Sequence, residues 1–260
     1  MPFTTQNGLR CYTFDIFPKG IIQAVFTRQG GVSPEPWDSL NVGGAIGDDP
    51  ARVHENRLRS FAALDRPPGS IFDVWQVHSA NVAFSDTPRS PGTPYNQADV
   101  ILTDRPDVTL FMRFADCVPI FLHDPRNCVV GLAHAGWLGT VRLAVTAAIQ
   151  AMQERYGSQP ADILAGIGPS IGPDHYEIGS DVIDQVKRSF PGDAAGLLAE
   201  REEGVYFDLW SANRLLLERC GIHQIEISHI CTACHTEDWF SHRAYKGRTG
   251  RFGAMMALSL

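Results

Sequence analysis

The sequence predicts a mixed α/β protein, a layered α+β fold in which mixed β-sheets carry flanking helices. Short runs of β-branched and aromatic residues alternate along the chain with longer stretches of helical apolar period, and glycine-rich turns separate them. The 260 residues are 44% hydrophobic and 20% charged, enough apolar material for a substantial core and too much for a disordered chain.

The first readable element is a helix over residues 49–64. Asp49 and Pro50 open it, and Val53, Leu58, Phe61 and Leu64 form its apolar face. Strands follow at 72–77 and 108–114, and further apolar runs at 118–123 and 128–133. A long helix is predicted over 140–156, where Val141, Ala144, Val145, Ala148, Ile149 and Met152 share one face and Gly157 stops it. Residues 162–167 read as a short strand running into the turn-rich GIGPSIGP, 180–189 and 210–220 as helices, and 222–230 as a late strand. Two loops stand out by their Gly, Pro, Ser and Asn content, 30–47 and 86–96. Neither precedes a change in composition and no repeat is visible, so residues 1–260 are expected to form a single domain.

Several function classes are excluded at this level. Twenty-two Lys and Arg against 29 Asp and Glu give a net charge of −7 with no basic run, a poor match to nucleic acid or an anionic membrane. No window approaches the ~20 apolar residues of a membrane span, and Arg10, Asp15 and Lys19 interrupt the region where a secretory signal would lie. The expectation is a cytoplasmic protein, monomeric or homodimeric, whose six cysteines are reduced thiols, metal ligands or nucleophiles.

Three strand ends place a soft or borderline ligand beside apolar residues: His78 in WQVHSA, Cys117 in FADCVP and His134 in LAHAGW. Imidazole and thiolate suit zinc or copper, and three protein ligands with an open position mark a catalytic metal site. The same residues permit a Cys117 nucleophile with His134 or His78 as base, Asp116 orienting the imidazole or accepting a proton. They also fit buried core residues with no chemistry. HICTACH, residues 229–235, holds Cys231-x-x-Cys234-His235, open to four readings: haem attachment, half of a zinc ribbon, a redox dithiol, or ordinary thiols beside a functional loop. Arg28, Arg243, Lys246, Arg248 and Arg251 flank glycine turns and suit phosphate contact, although no turn has a nucleotide-fold spacing. Glu177 in HYEIG is a further candidate acid.

Taken together, SLN, QVHSA, QADVILTD, FADCVPIFLHD, GLAHAGW, GIGPSIGPDHYEIG, CT and FSHRAYKGRTGR occur in an order that resembles the laccase-domain, or polyphenol-oxidase-like, family, whose members include purine nucleoside phosphorylases. The resemblance implies a fold like that of cysteine-hydrolase toxins and a metal site of His78, Cys117 and His134. It implies phosphorolysis of adenosine, inosine, guanosine and methylthioadenosine, with adenosine deamination. Zinc is the expected cofactor, copper the alternative, and purine nucleoside and phosphate the expected partners. Cys117, Asp116, His134 and Glu177 are the candidate catalytic residues, and Arg28, Asn41 and Arg243 the candidate substrate contacts. The chain departs from the family at Leu138, where Arg is common, at His175, where Cys is frequent, and at His242, where Tyr is usual. A four-copper oxidase needs about ten histidine ligands, largely in H-x-H pairs. With nine histidines and no such pair, phenol oxidation ranks below phosphorolysis and below a cysteine-type amide hydrolase. A non-catalytic binding role ranks last.

Overall fold

A computed structural model describes residues 3–259. It has four layers, helix, sheet, sheet, helices, because the central strands are apolar on both faces. The first six-stranded sheet runs in spatial order Phe3–Gln6, Leu9–Tyr12, Ile21–Phe26, Phe252–Leu258, Thr109–Phe114 and Ile71–Phe72. The second runs Gln224–Ile227, Leu164–Ile167, Val118–Asp124, Val129–Ala135, Val100–Thr103 and Val82–Phe84. A small sheet of Glu177–Ile178, Gly204–Phe207 and Leu198–Arg201 stands apart.

Strand alternation assigns each side chain to a layer. Leu110, Met112 and Phe114 meet Phe121, Val130 and Leu132 between the two large sheets. On the outer face of the first sheet, Phe111 and Met255 meet Phe61 of the helix Pro50–Ala63. Asp49 caps that helix, accepting from the Ala51 amide at 2.8 Å. On the outer face of the second sheet, Ile120, Leu122 and Ala133 pack on Val145, Ala148, Ile149 and Met152.

The predicted strand over 72–77 stays in the sheet only through Ile71–Phe72. Beyond it the Gln76 side chain takes over the pairing: Gln76 Nε2 donates to the Arg113 carbonyl at 2.8 Å, and the Arg113 amide donates to Gln76 Oε1 at 3.0 Å. The backbone is thereby freed to turn toward the site. The predicted helix over 140–156 is two helices, Trp137–Val141 and Ala144–Tyr156, broken where Leu143 adopts φ +63°. The break lets Arg142 Nη1 donate to the His78 carbonyl at 3.0 Å. The late strand is shorter than predicted, Gln224–Ile227.

The loop over 30–47 has no regular structure and is nevertheless tied down. Asp48 Oδ2 accepts from Ser33 Oγ at 2.6 Å and from Asn41 Nδ2 at 2.7 Å, and Asn56 Nδ2 donates to the Asn41 carbonyl at 2.8 Å. No helix among the described residues is long and apolar enough to cross a membrane.

Candidate active site

Strand register brings the three predicted ligands together. Val118–Asp124 pairs antiparallel with Val129–Ala135 so that Pro119 faces His134 and Val118 faces Ala135. Cys117 and Gly136 follow as the next opposed pair. The approach requires glycine, because a Cβ at Gly136 would sit 2.6 Å from Cys117 Sγ. On the other side, Val100 faces Ala133, and the His134 amide donates to the Asp99 carbonyl at 2.8 Å.

Asp99 then organises the rest. Its Oδ1 accepts from His134 Nδ1 at 2.9 Å and from the His78 amide at 3.0 Å. Its Oδ2 accepts from the Ser79 amide at 2.6 Å, Ser79 Oγ at 2.8 Å and the Val77 amide at 3.2 Å. Two site residues are held with left-handed backbone, His78 at φ +57° and Asp116 at φ +82°. Such conformations persist where surrounding bonds over-determine them, and Asp99 and Arg142 do this for His78.

The ligand atoms of His78, Cys117 and His134 all lie within 4.8 Å of one another, and Cys117 Sγ is 3.9 Å from His78 Nε2. Burial raises the Cys117 thiol, but the adjacent His134 and then His78 outweigh it and hold it below the ordinary thiol range. Burial lowers His134, while Cys117 and Asp99 outweigh that and raise it. For Asp99, burial raises the carboxyl, and the bonds from His134 and Ser79 bring it down to about 2. This donor set fits a metal. One thiolate and two imidazoles face a common point, and Asp99 engages His134 Nδ1, which leaves Nε2 for coordination.

The trio opens into a cavity of about 820 Å³. Its aromatic walls are Trp75, Tyr95, Trp137 and Tyr176, and Arg57, Arg113, Arg243 and Arg251 bring positive charge. Trp75 is 48% exposed and Tyr95 37%, so both rings are open to a ligand entering the cavity. Burial drives the Tyr176 phenol upward, with Cys117 adding to it, so the hydroxyl stays protonated and able to donate.

Of the other predicted residues, Asp116 and Arg243 line this cavity. Asp116 does not orient the imidazole; that is done by Asp99, which carried no assigned role in the sequence. Asp116 instead accepts from Thr232 Oγ1 at 2.7 Å and from the Arg243 amide at 2.6 Å. Arg243 donates to the carbonyls of His175 at 3.1 Å and Glu177 at 2.9 Å, and its guanidinium lies 5.0 Å from the centre of the Tyr176 ring. Glu177, Arg28 and Asn41 are not on the cavity wall. Glu177 is exposed on the small sheet. Arg28 lines a separate cleft, donating to Asp38 Oδ1 at 2.8 Å and to Tyr245 Oη at 3.0 Å. Asn41 is buried in the loop network and accepts the Arg251 amide at 2.9 Å. His242 reaches the cavity, whereas His175 and Leu138 do not.

The fold and the sequence match place the chain in the laccase-like class of proteins. The chain belongs to the family described as "Multi-copper polyphenol oxidoreductase laccase", whose profile matches residues 22–259. It is 38% identical over 238 residues to a Deinococcus radiodurans protein named purine nucleoside phosphorylase, covering 90% of this chain and 88% of that one. It is 35% identical over 249 residues to Bacillus subtilis purine nucleoside phosphorylase YlmD, covering 92% and 89%. Among solved structures it superimposes on YlmD from Geobacillus stearothermophilus with a TM-score of 0.93 at 34% identity, covering 100% of this chain and 99% of that one. On the hypothetical protein YfiH of Bacillus licheniformis the TM-score is 0.91 at 33% identity, covering 99% of both chains.

Proposed function

We propose that the protein is a metal-dependent purine nucleoside phosphorylase acting on adenosine, inosine, guanosine and methylthioadenosine, with adenosine deaminase activity, and that zinc is its metal. The observation that carries this reading is one cavity in which His78, Cys117 and His134 share walls with aromatic rings and arginines. A purine is a flat ring suited to stacking on Trp75, Tyr95, Trp137 or Tyr176, and guanidinium groups suit phosphate. The names carried by the relatives support it.

In phosphorolysis a phosphate oxygen bonds to ribose C1′ while the C1′–N9 bond breaks, and the purine leaves with that electron pair and takes up a proton. Arg243 and Arg251 gather the phosphate and offset charge on the departing base. Asp116 holds the Arg243 backbone, and the aromatic walls orient the purine and exclude water. In deamination, water adds at purine C6 and ammonia leaves. Asp116, with oxygen lone pairs beyond those given to Thr232 and Arg243, is the proton carrier on the wall. His78, Cys117 and His134 would hold the zinc, which would supply Lewis acidity for activating water.

The lowered Cys117 thiol beside His134, itself oriented by Asp99, favours a second reading, a cysteine amide hydrolase. Chelation separates the two. Protein stripped of metal and reloaded with zinc is incubated with adenosine, with and without phosphate. Phosphate-dependent adenine and phosphate-independent inosine, both lost on stripping, are expected. Absence of both products from zinc-loaded protein overturns the nucleoside reading, and amidase activity that rises on stripping establishes the hydrolase.

A further inference from the structure

HICTACH contributes nothing to the cavity wall, yet the fold gives it a partner. Its first half bridges to the segment after the strand Leu164–Ile167: the Ser170 amide donates to the Ile230 carbonyl at 3.1 Å, and the Thr232 amide to the Ser170 carbonyl at 3.0 Å. This lays Cys231 and Cys234 against Asp174 and His175. One ligand atom from each of the four lies within 4.8 Å of all the others.

The four groups lie close to the spacing of a coordination shell, the two sulfur–imidazole distances within it and the two distances to Asp174 slightly shorter. Cys234 Sγ is 3.4 Å from His175 Nδ1 and 3.1 Å from Asp174 Oδ2. Cys231 Sγ is 3.8 Å from His175 Nδ1, and His175 Nδ1 is 3.1 Å from Asp174 Oδ2. Tetrahedral zinc, with bonds of about 2.3 Å to sulfur and about 2.0 Å to nitrogen or oxygen, sets its donors roughly 3.3–3.8 Å apart. Cys231 and Cys234 sit on one turn at the two-residue interval by which zinc-binding chains present paired thiolates. The Gly172 amide donates to Cys231 Sγ at 3.2 Å, an outer bond of the kind that steadies a ligating sulfur. His235 takes no part: its Nδ1 is 3.1 Å from Glu237 Oε1.

We propose that Asp174, His175, Cys231 and Cys234 form a second zinc site, structural in role and separate from the His78, Cys117 and His134 trio. The second ligand pair that a zinc ribbon requires comes here from a remote loop rather than from another C-x-x-C. Bound zinc staples the segment that carries Tyr176 to the segment whose Thr232 fixes Asp116. A closed shell of four protein ligands leaves no position for substrate.

Metal content of the full-length chain tests this without reference to activity. After zinc loading and gel filtration, the His78→Ala/Cys117→Ser variant keeps one zinc per chain, and the Cys231→Ser/Cys234→Ser variant holds one fewer than the unaltered protein. A second readout leaves all ligands in place: alkylation of Cys234, followed by peptide mass spectrometry, is slowed at least ~10-fold by zinc and restored by chelation, with exposed Cys128 as the internal control. Zinc that survives His78→Ala/Cys117→Ser supports the second site even if the nucleoside reading fails. Alkylation of Cys234 at the same rate with and without zinc overturns it, as does a folded His78→Ala/Cys117→Ser protein with no bound metal.

Discussion

Asp99→Asn tests how the site is held. The carboxylate is fully buried and accepts two bonds on Oδ1 and three on Oδ2. An asparagine has one acceptor oxygen, so its amide nitrogen must meet donors whichever way it is placed. At the Oδ1 position it faces the His78 amide and His134 Nδ1. The His78 amide loses its acceptor, and His134 moves its proton to Nε2, the atom left for the metal. At the Oδ2 position the Val77 and Ser79 amides both lose their acceptor. Each buried donor left unpaired costs about 1–3 kcal/mol, so unfolding in urea is expected to show a loss of about 2 kcal/mol. Removing such an outer-shell partner typically costs 10–100-fold in metal affinity, about 1.4–2.7 kcal/mol. The assay is competition for zinc against a chromophoric chelator at neutral pH, with unfolding followed in parallel. Either placement of the amide costs stability, and the Oδ1 placement costs zinc affinity as well, so a folded Asp99→Asn protein with both stability and zinc affinity unchanged refutes the reasoning that Asp99 holds the site.

Gly136→Ala forces a Cβ to within 2.6 Å of Cys117 Sγ, so the thiolate must move and zinc affinity should fall on the order of 10-fold or more by the same competition assay. Wild-type affinity in that variant contradicts the close approach. Arg251→Ala removes a guanidinium whose Nη1 already serves the Gly250 carbonyl at 2.9 Å while the residue lines the cavity. Loss of a charge-assisted phosphate contact of about 1.5–3 kcal/mol raises the phosphate KM roughly 10–100-fold, and an unaltered KM removes Arg251 from the phosphate site. Asp124 governs a pH effect far from the chemistry. Burial raises its carboxyl, and hydrogen bonds, among them the Asn127 side chain at 2.7 Å and the Arg126 amide at 2.9 Å, outweigh that and lower it. Its contribution to stability is full above the ordinary carboxyl range and is lost as pH falls through the lowered value. The fall in Tm below about pH 4 should be shallower in Asp124→Asn, and an identical acid limb rejects the assignment.

The elements that the sequence made legible are those with strong local signals. The helix Pro50–Ala63 has its Asp49 cap and N-terminal proline, and the strands Val118–Asp124 and Val129–Ala135 are continuous apolar runs. The strand Phe252–Leu258 lies at the centre of the first sheet and was invisible, because Gly, Ala and Met carry little β-propensity and its burial comes wholly from neighbours remote in sequence. The break at Leu143 has no glycine or proline to announce it. The trio was readable as residue types at strand ends, yet what makes it a site is register: Pro119 opposite His134, and Val100 opposite Ala133. Asp99 sat unremarked in QADVILTD, since an acidic residue before an apolar run carries no sign of which amides it will receive. Arg28, a cation beside a glycine turn, and Asn41 were candidate substrate contacts, and the structure turns both inward to hold the loop over 30–47.

The most direct test of the central claim is phosphorus NMR of zinc-loaded protein incubated with adenosine and inorganic phosphate. The account predicts a sugar 1-phosphate resonance that grows in step with free adenine, absent from a Cys117→Ala sample of equal fold. Adenine released without any new phosphate ester, or ester formed equally by Cys117→Ala, contradicts it.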